Sequence, residues 1–207
     1  MSQPPTPEPS PRVVRRDTIH RGKKFDFEML TVERPGEAGK GKTLQREIVR
    51  HPGAVVVVPI LEEWGRRRVV LIRNYRIAAE EHLHECCAGT IERPRKPDGG
   101  FGPGEDPAAC AARELIEETG YRAAALTPLG GPAGGNWFYT TPGLTDERMH
   151  AFAATGLTHV GQKLEEDETI EVEIVDAREA VAMATTGRLR DAKSMLAILL
   201  ADRAGLL

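Results

Sequence analysis

The sequence predicts an α/β sandwich: a mixed β-sheet with helices outside it, preceded by a small N-terminal antiparallel sheet. Three observations carry this expectation. Residues 54–61 form an unbroken apolar run of strand length, and residues 69–75 supply a hairpin partner across 62–68. Residues 108–118 hold neither Gly nor Pro and are rich in Ala, Leu and Glu, so they read as a helix. Two further helix starts, Asp176 and Asp191, follow the last strand-like segment.

The elements follow in order. Residues 1–12 hold five prolines and little apolar content, so 1–18 is expected as a disordered tail. Residues 25–32 and 44–50 read as strands around a Gly/Lys-rich turn at 35–42, and 19–52 forms the N-terminal sheet. The main domain is 53–207. After the 54–61 and 69–75 pair, residues 82–89 read as one short strand. Residues 93–104 are dominated by Pro and Gly and exclude regular structure. Asp106 caps the next helix, Pro107 opens it, and Gly120 sits at its left-handed end. A second Gly-rich loop covers 130–136. Strands are expected at 137–141 and 150–154 around the turn Pro142-Gly143. An acidic loop at 161–168 leads to a strand at 169–175, then helices run from Asp176 to about 186 and from Asp191 to about 203.

Composition removes several function classes. The formal net charge is -3, with no polybasic footprint for nucleic acid. The longest apolar run, 54–61, is too short to span a bilayer, and the N-terminus lacks a signal-peptide core. Cys86, Cys87 and Cys110 have no zinc-ligand spacing and suit a reduced compartment. A cytoplasmic protein without membrane or nucleic-acid partners is expected. The adjacent pair Cys86-Cys87 reads either as buried strand thiols or as a redox switch.

The chemistry concentrates on the first helix. Glu114 and Glu118 are i,i+4 and share one face, with Glu117 beside them; Arg113 and Glu117 are also i,i+4 and can pair. Ala108, Ala112, Leu115 and Thr119 form a different stripe, expected to face the core. Stacked carboxylates repel unless a cation lies between them. Rigid oxygen ligands suit Mg2+, with Mn2+ as its substitute.

Arg113-Glu114-Leu115-Ile116-Glu117-Glu118-Thr119-Gly120-Tyr121, with Glu105 eight residues before Arg113, resembles the Nudix box, Gly-x5-Glu-x7-Arg-Glu-U-x-Glu-Glu-x-Gly-U, where U is apolar. Arg46-Glu47-Ile48, His51-Pro52-Gly53-Ala54-Val55-Val56, Arg73-Asn74-Tyr75-Arg76, Glu85-Cys86-Cys87-Ala88-Gly89, Thr141-Pro142-Gly143-Leu144-Thr145-Asp146-Glu147 and Glu166-Asp167-Glu168-Thr169-Ile170-Glu171-Val172 resemble the ADP-ribose pyrophosphatase branch of that superfamily. The likeness spans about residues 20–200. One departure concerns the loop. Gly99 stands at the literal box distance from Glu105, but Gly89 follows its strand as the family's glycine does. Residues 90–92 and 103–105 then read as two halves of one loop, opened by an insertion at 93–102 that either is inert or folds over the site.

The resemblance implies a Nudix-type α/β/α sandwich and Mg2+-dependent cleavage of a nucleoside diphosphate sugar. ADP-ribose, giving AMP and ribose 5-phosphate, is the first choice. GDP-mannose, a UDP-sugar or another nucleoside diphosphate derivative is the alternative, and a catalytically silent nucleotide-binding module is the reading from another class. Implied metal ligands are Glu114, Glu118 and the carbonyl of Ala88, joined by Glu117 or Glu168. Glu117 is either a ligand or Arg113's partner. Glu166 or Glu168 is the implied base. Arg76 is the implied phosphate contact, Arg46 reaches from a neighbouring subunit of a homodimer, and Glu147 binds the terminal ribose. Phe25 or Trp137 stacks on a base, and Glu85 supports the metal from outside its ligand shell. Gly89, Glu105, Arg113 and Gly120 are structural, with Glu105 accepting N–H groups at the helix start.

Overall fold

A computed structural model describes residues 10–36, 41–130, 135–164 and 169–207. The chain divides into two compact units: Met1–His51 with Thr141–Asp146, and Pro52–Thr140 with Glu147–Leu207.

The first unit is a three-stranded antiparallel sheet of β1 (Arg12–Arg21), β2 (Asp26–Arg34) and β3 (Lys42–Arg50), with β2 in the middle. β1 corrects the expected tail over residues 12–18, which are strand. Its sequence, Arg-Val-Val-Arg-Arg-Asp-Thr-Ile-His-Arg, lacks clean alternation, and two register shifts against β2 explain why. Residues 1–9 lie outside the described residues. Thr141–Asp146 joins this unit through the end of β3: Val49 N–H donates to the Leu144 carbonyl at 2.9 Å, and Arg50 reaches Asp146 at 2.7 Å.

The second unit is the sandwich. Its sheet is ordered β10 (Trp137–Tyr139), β11 (Arg148–Thr155), β4 (Ala54–Glu63), β5 (Arg66–Arg76), β13 (Ile170–Asp176). β6 (Glu81–Glu85) adds to β5, β7 (Ala88–Thr90) to β4, and β9 (Ala125–Pro128) to β11. The β11–β4 pair is parallel and its neighbours are antiparallel, so the sheet is mixed. A two-stranded ribbon, β8 (Tyr121–Arg122) with β12 (Thr158–His159), lies apart from it.

β4 reads as continuously apolar because both of its faces are covered. Val55 and Val57 pack into one core with Leu115 of α1 (Pro107–Thr119). Val56, Val58 and Ile60 pack into the other with α2 (Ala177–Thr186) and α3 (Ala192–Arg203). Val55 to Val58 are all fully buried, and such burial stabilises by roughly 1.5–3 kcal/mol per side chain.

The expected single strand at 82–89 is two strands with a break at Cys86-Cys87. There the chain changes partner: Glu85 lies opposite Ile72 of β5, and Ala88 opposite Val56 of β4. Successive side chains of an extended chain point to opposite faces, so Cys86 enters the α2–α3 core and Cys87 the α1 core. Burial pushes the Cys86 thiol up to about 12 and the Cys87 thiol well above its usual value. Neither offers the accessible thiolate that a redox switch needs.

Candidate active site

α1 starts and stops as its sequence dictates. Asp106 accepts from the N–H groups of Ala108 and Ala109 at 2.9 and 3.1 Å, and Gly120 closes the helix at φ 74° with its N–H on the Ile116 carbonyl. Leu115 and Thr119 are buried as expected, but Ala112 is exposed and Cys110 and Ala111 take its place. Small residues on both sides of the helix left that edge of the stripe undetermined.

Glu114 and Glu118 are brought onto β7. The Ala88 N–H donates to the Glu118 carboxylate at 2.9 Å, and Glu118 is only 5% exposed. The Glu114 carboxyl lies directly over Gly89: a Cβ there would fall 1.8 Å from its carboxyl carbon. Gly89 is therefore a matter of close approach, not of backbone freedom. Gly99, by contrast, lies in the 93–104 loop at φ 86°.

Arg113 organises the carboxylates around it. Its Nη1 is 2.8 Å from both Glu114 and Glu117, and its Nη2 donates to Glu105 at 2.8 Å. Glu117 is thus placed as the partner of Arg113. Glu105 departs from its expected role at the helix start, because the shorter Asp106 takes those N–H groups. Glu105 accepts instead from Arg113 and from the Glu92 N–H at 3.0 Å. Burial opposes its charge, but the hydrogen bonds from Arg113 and Glu92 outweigh that and hold its carboxyl below the usual value of 4.5.

A depressed folded value has a defined sign. The unfolded chain binds the proton more tightly, so this stabilisation is present above about pH 4.5 and is lost as pH falls through the folded value. Glu105→Gln should therefore show a shallower loss of melting temperature than the wild type between about pH 6 and about pH 3. Parallel curves would remove Glu105 from the acid response.

The inserted segment is a closed hairpin. Arg95 bridges to Phe101 with its guanidinium 4.0 Å from the ring centre, and the Gly102 N–H donates to the Pro94 carbonyl at 2.8 Å. At its base the Glu105 N–H donates to the Glu92 carbonyl at 3.0 Å, beside the reverse bond to the Glu105 side chain. Removing 93–102 leaves Glu92-Pro103-Gly104-Glu105. That is the sequence of a type II turn, in which the same bond from Glu105 to Glu92 would close the loop. The deletion is expected to fold and retain turnover. A folded but inactive product would make the hairpin part of the site.

Arg76 forks onto Glu85, Nε to Oε1 and Nη2 to Oε2, both at 2.6 Å. Lys193 of α3 donates to the same carboxylate at 2.5 Å. Glu85 is fully buried, and burial opposes its charge, but the bonds and charges of Arg76 and Lys193 outweigh it and keep the carboxyl below the usual range. Its oxygens are thus engaged with cations, which changes the support expected of it toward a metal. Lys193 is the residue that sequence reasoning missed. It lies 108 positions from Glu85, and nothing in one dimension pairs them.

Glu166 and Glu168 lie outside the described residues. The segment before them is fastened to the end of α1: the Lys163 N–H donates to the Glu117 carbonyl at 3.0 Å, and the Gln162 amide to the Glu118 carbonyl at 2.7 Å. Glu147 accepts from the Thr140 hydroxyl. Trp137 packs edge-on to Tyr139 beneath Arg148. Arg46 and Phe25 belong to the first unit. Arg46 is exposed and bonded to the Gln45 carbonyl, and Phe25 stacks on His51 at 4.8 Å.

Among the described residues no group of three or more His, Cys, Asp or Glu is gathered tightly enough to hold a metal alone. Two carboxylates beside a strand-end carbonyl still suit a hard cation that keeps waters and takes substrate oxygens. The bare Cα of Gly89 leaves the Glu114 carboxyl the room to lie there.

A NUDIX domain model matches residues 50–198. The chain belongs to the Nudix family. This Nudix hydrolase is 35% identical to an ADP-ribose pyrophosphatase of Bacillus subtilis over 189 residues, 90% of each chain. It is 33% identical to the methanol dehydrogenase activator of Bacillus methanolicus, again over 90% of each. A GDP-mannose pyrophosphatase of Citrobacter koseri is 29% identical over 87% of this chain and 90% of its own. A crystal structure of an ADP compounds hydrolase superposes with a TM-score of 0.73, covering 98% of this chain and all of the other at 21% identity, which shows the fold. No helix among the described residues is long and apolar enough to cross a membrane.

Proposed function

We propose that this Nudix hydrolase cleaves the diphosphate bond of ADP-ribose, giving AMP and ribose 5-phosphate, with Mg2+. The observation that carries the reading is the seat of Glu114 on Gly89 beside Glu118 on Ala88, a paired-carboxylate face built against a strand end. The likeness to an ADP-ribose pyrophosphatase over nine-tenths of both chains points to the nucleotide.

Glu114, Glu118 and the Ala88 carbonyl would hold the cation. When bound, it would neutralise phosphate oxygens and lower the pKa of an attacking water. Arg113 keeps Glu114, Glu117 and Glu105 in fixed relation, so the ligand face does not splay by mutual repulsion. Arg76 presents a guanidinium to the phosphates. Glu166 or Glu168 takes the proton of the water. Glu147 receives the terminal ribose, Phe25 or Trp137 stacks on the base, and Arg46 acts from the neighbouring subunit of a homodimer.

The test is a panel of ADP-ribose, GDP-mannose and a UDP-sugar, each with Mg2+, measuring free nucleoside monophosphate. AMP from ADP-ribose is expected to dominate. Dominant release of GMP would move the substrate to GDP-mannose and leave the hydrolase reading intact. No release from any substrate would refute the proposed reaction.

A further inference from the structure

Each residue from Glu85 to Gly89 has a separate task. Glu85 gathers Arg76 and Lys193. The Cys86 N–H donates to the Ser194 hydroxyl at 2.8 Å, and the Cys87 carbonyl accepts from Val57 at 2.9 Å. Ala88 holds Glu118, and Gly89 makes room for Glu114. The cation pair and the carboxylate pair are therefore set by one five-residue stretch.

The first turn of α3 locks this stretch from the other side. Ser194 is fully buried, and Asp191, the cap of α3, accepts from the Ser194 N–H at 3.1 Å and lies 2.9 Å from Lys193. Lys193 is thus shared between Asp191 and Glu85. Glu85 is fully buried at the junction of β5, β6 and α3, with charged partners on both oxygens.

Two other carboxylates bear on the charge of Arg76. Glu118 and Asp191 both act on its charge, after Glu85. Without Glu85 the long arginine side chain would be free to pair with Glu118, covering a carboxylate needed for the cation. With Glu85 in place, the Nε–Nη2 edge is satisfied and Nη1 is left uncommitted among the described residues. A guanidinium held by one edge loses little further freedom when the other meets a phosphate.

We propose that Glu85 is a positioning residue: it holds Arg76 off Glu118 and presents its Nη1 to the phosphate oxygens of the substrate. This rests on the proposed diphosphate hydrolysis for the identity of the anion.

The test is calorimetry with inorganic pyrophosphate in the presence of Mg2+, a probe that needs no turnover. Glu85→Gln is expected to raise the pyrophosphate Kd by about 10- to 100-fold, the range seen when a supporting partner is lost. Because that variant leaves two cations beside an uncharged amide, Glu85→Gln with Lys193→Met is made alongside it and compared with Lys193→Met alone. The same further loss is expected on adding Glu85→Gln. In an Arg76→Met background, Glu85→Gln should add less than about twofold, since the residue it positions is gone. Undiminished affinity in the Glu85 variants, or equal losses with and without Arg76, overturns the inference. If no nucleotide sugar is hydrolysed but pyrophosphate binding depends on Glu85 through Arg76, the substrate reading fails and the inference stands.

Discussion

Glu118→Gln is expected to lower turnover by about a thousandfold while the protein keeps its fold. Loss of a charged metal ligand removes several kcal/mol of transition-state stabilisation, and each 1.4 kcal/mol is about tenfold in rate. The fold should survive because the amide oxygen of Gln can still accept the Ala88 N–H, which bonds Glu118 at 2.9 Å. The helix end is held independently, by Gln162 and Lys163 on its last carbonyls. Steady-state rates with the preferred nucleotide sugar, set beside melting temperatures, decide the matter. Near-wild-type rates would remove Glu118 from the metal site.

Gly89→Ala is the second large effect, and it separates the two candidate box glycines. The new methyl would meet the Glu114 carboxyl carbon at 1.8 Å and its Oε1 at 1.9 Å, far inside contact distance. The obstacle is the far end of a flexible side chain, so the backbone need not move; the carboxylate must. Displacing a catalytic group by about 1 Å can cost about 100-fold, and a loss of that order is expected with little change in melting temperature. Gly99→Ala should do the reverse. At φ 86° an L side chain is strained, at roughly 1–3 kcal/mol, and the Gly99 carbonyl bonds Arg95 within the hairpin, so stability is expected to fall while turnover holds. Equal activity losses in the two variants would refute this division.

Gly120 shows how a motif position can answer two demands. Its φ of 74° ends the helix, and a Cβ there would also lie 2.8 Å from the Gln162 nitrogen. The first demand is local and legible in the sequence; the second comes from a segment some forty residues downstream. The cysteine pair is similar. Residues 82–89 read as one short strand, yet the chain changes partners at Cys86-Cys87, from β5 to β4. No periodicity marks such a change.

The N-terminal strand was hidden by its charges. β1 holds four arginines in ten residues and stays largely exposed, so no apolar alternation announces it. The caps of the three helices among the described residues, in contrast, were readable because Asp106, Asp176 and Asp191 bond to N–H groups two or three residues on.

What the sequence alone determined is whatever depends on neighbours along the chain. That covers the three helices and their caps, the long buried strand, the spacing that puts Glu114 and Glu118 on one face, and the family. What only the tertiary structure decided is whatever depends on close approach between distant segments. That covers the seat of Glu114 on Gly89, the turn of Glu105 from helix cap to partner of Glu92 and Arg113, and the gathering of Arg76 and Lys193 on Glu85. Periodicity and capping act over a few residues, whereas a carboxylate chooses its partners by distance in space.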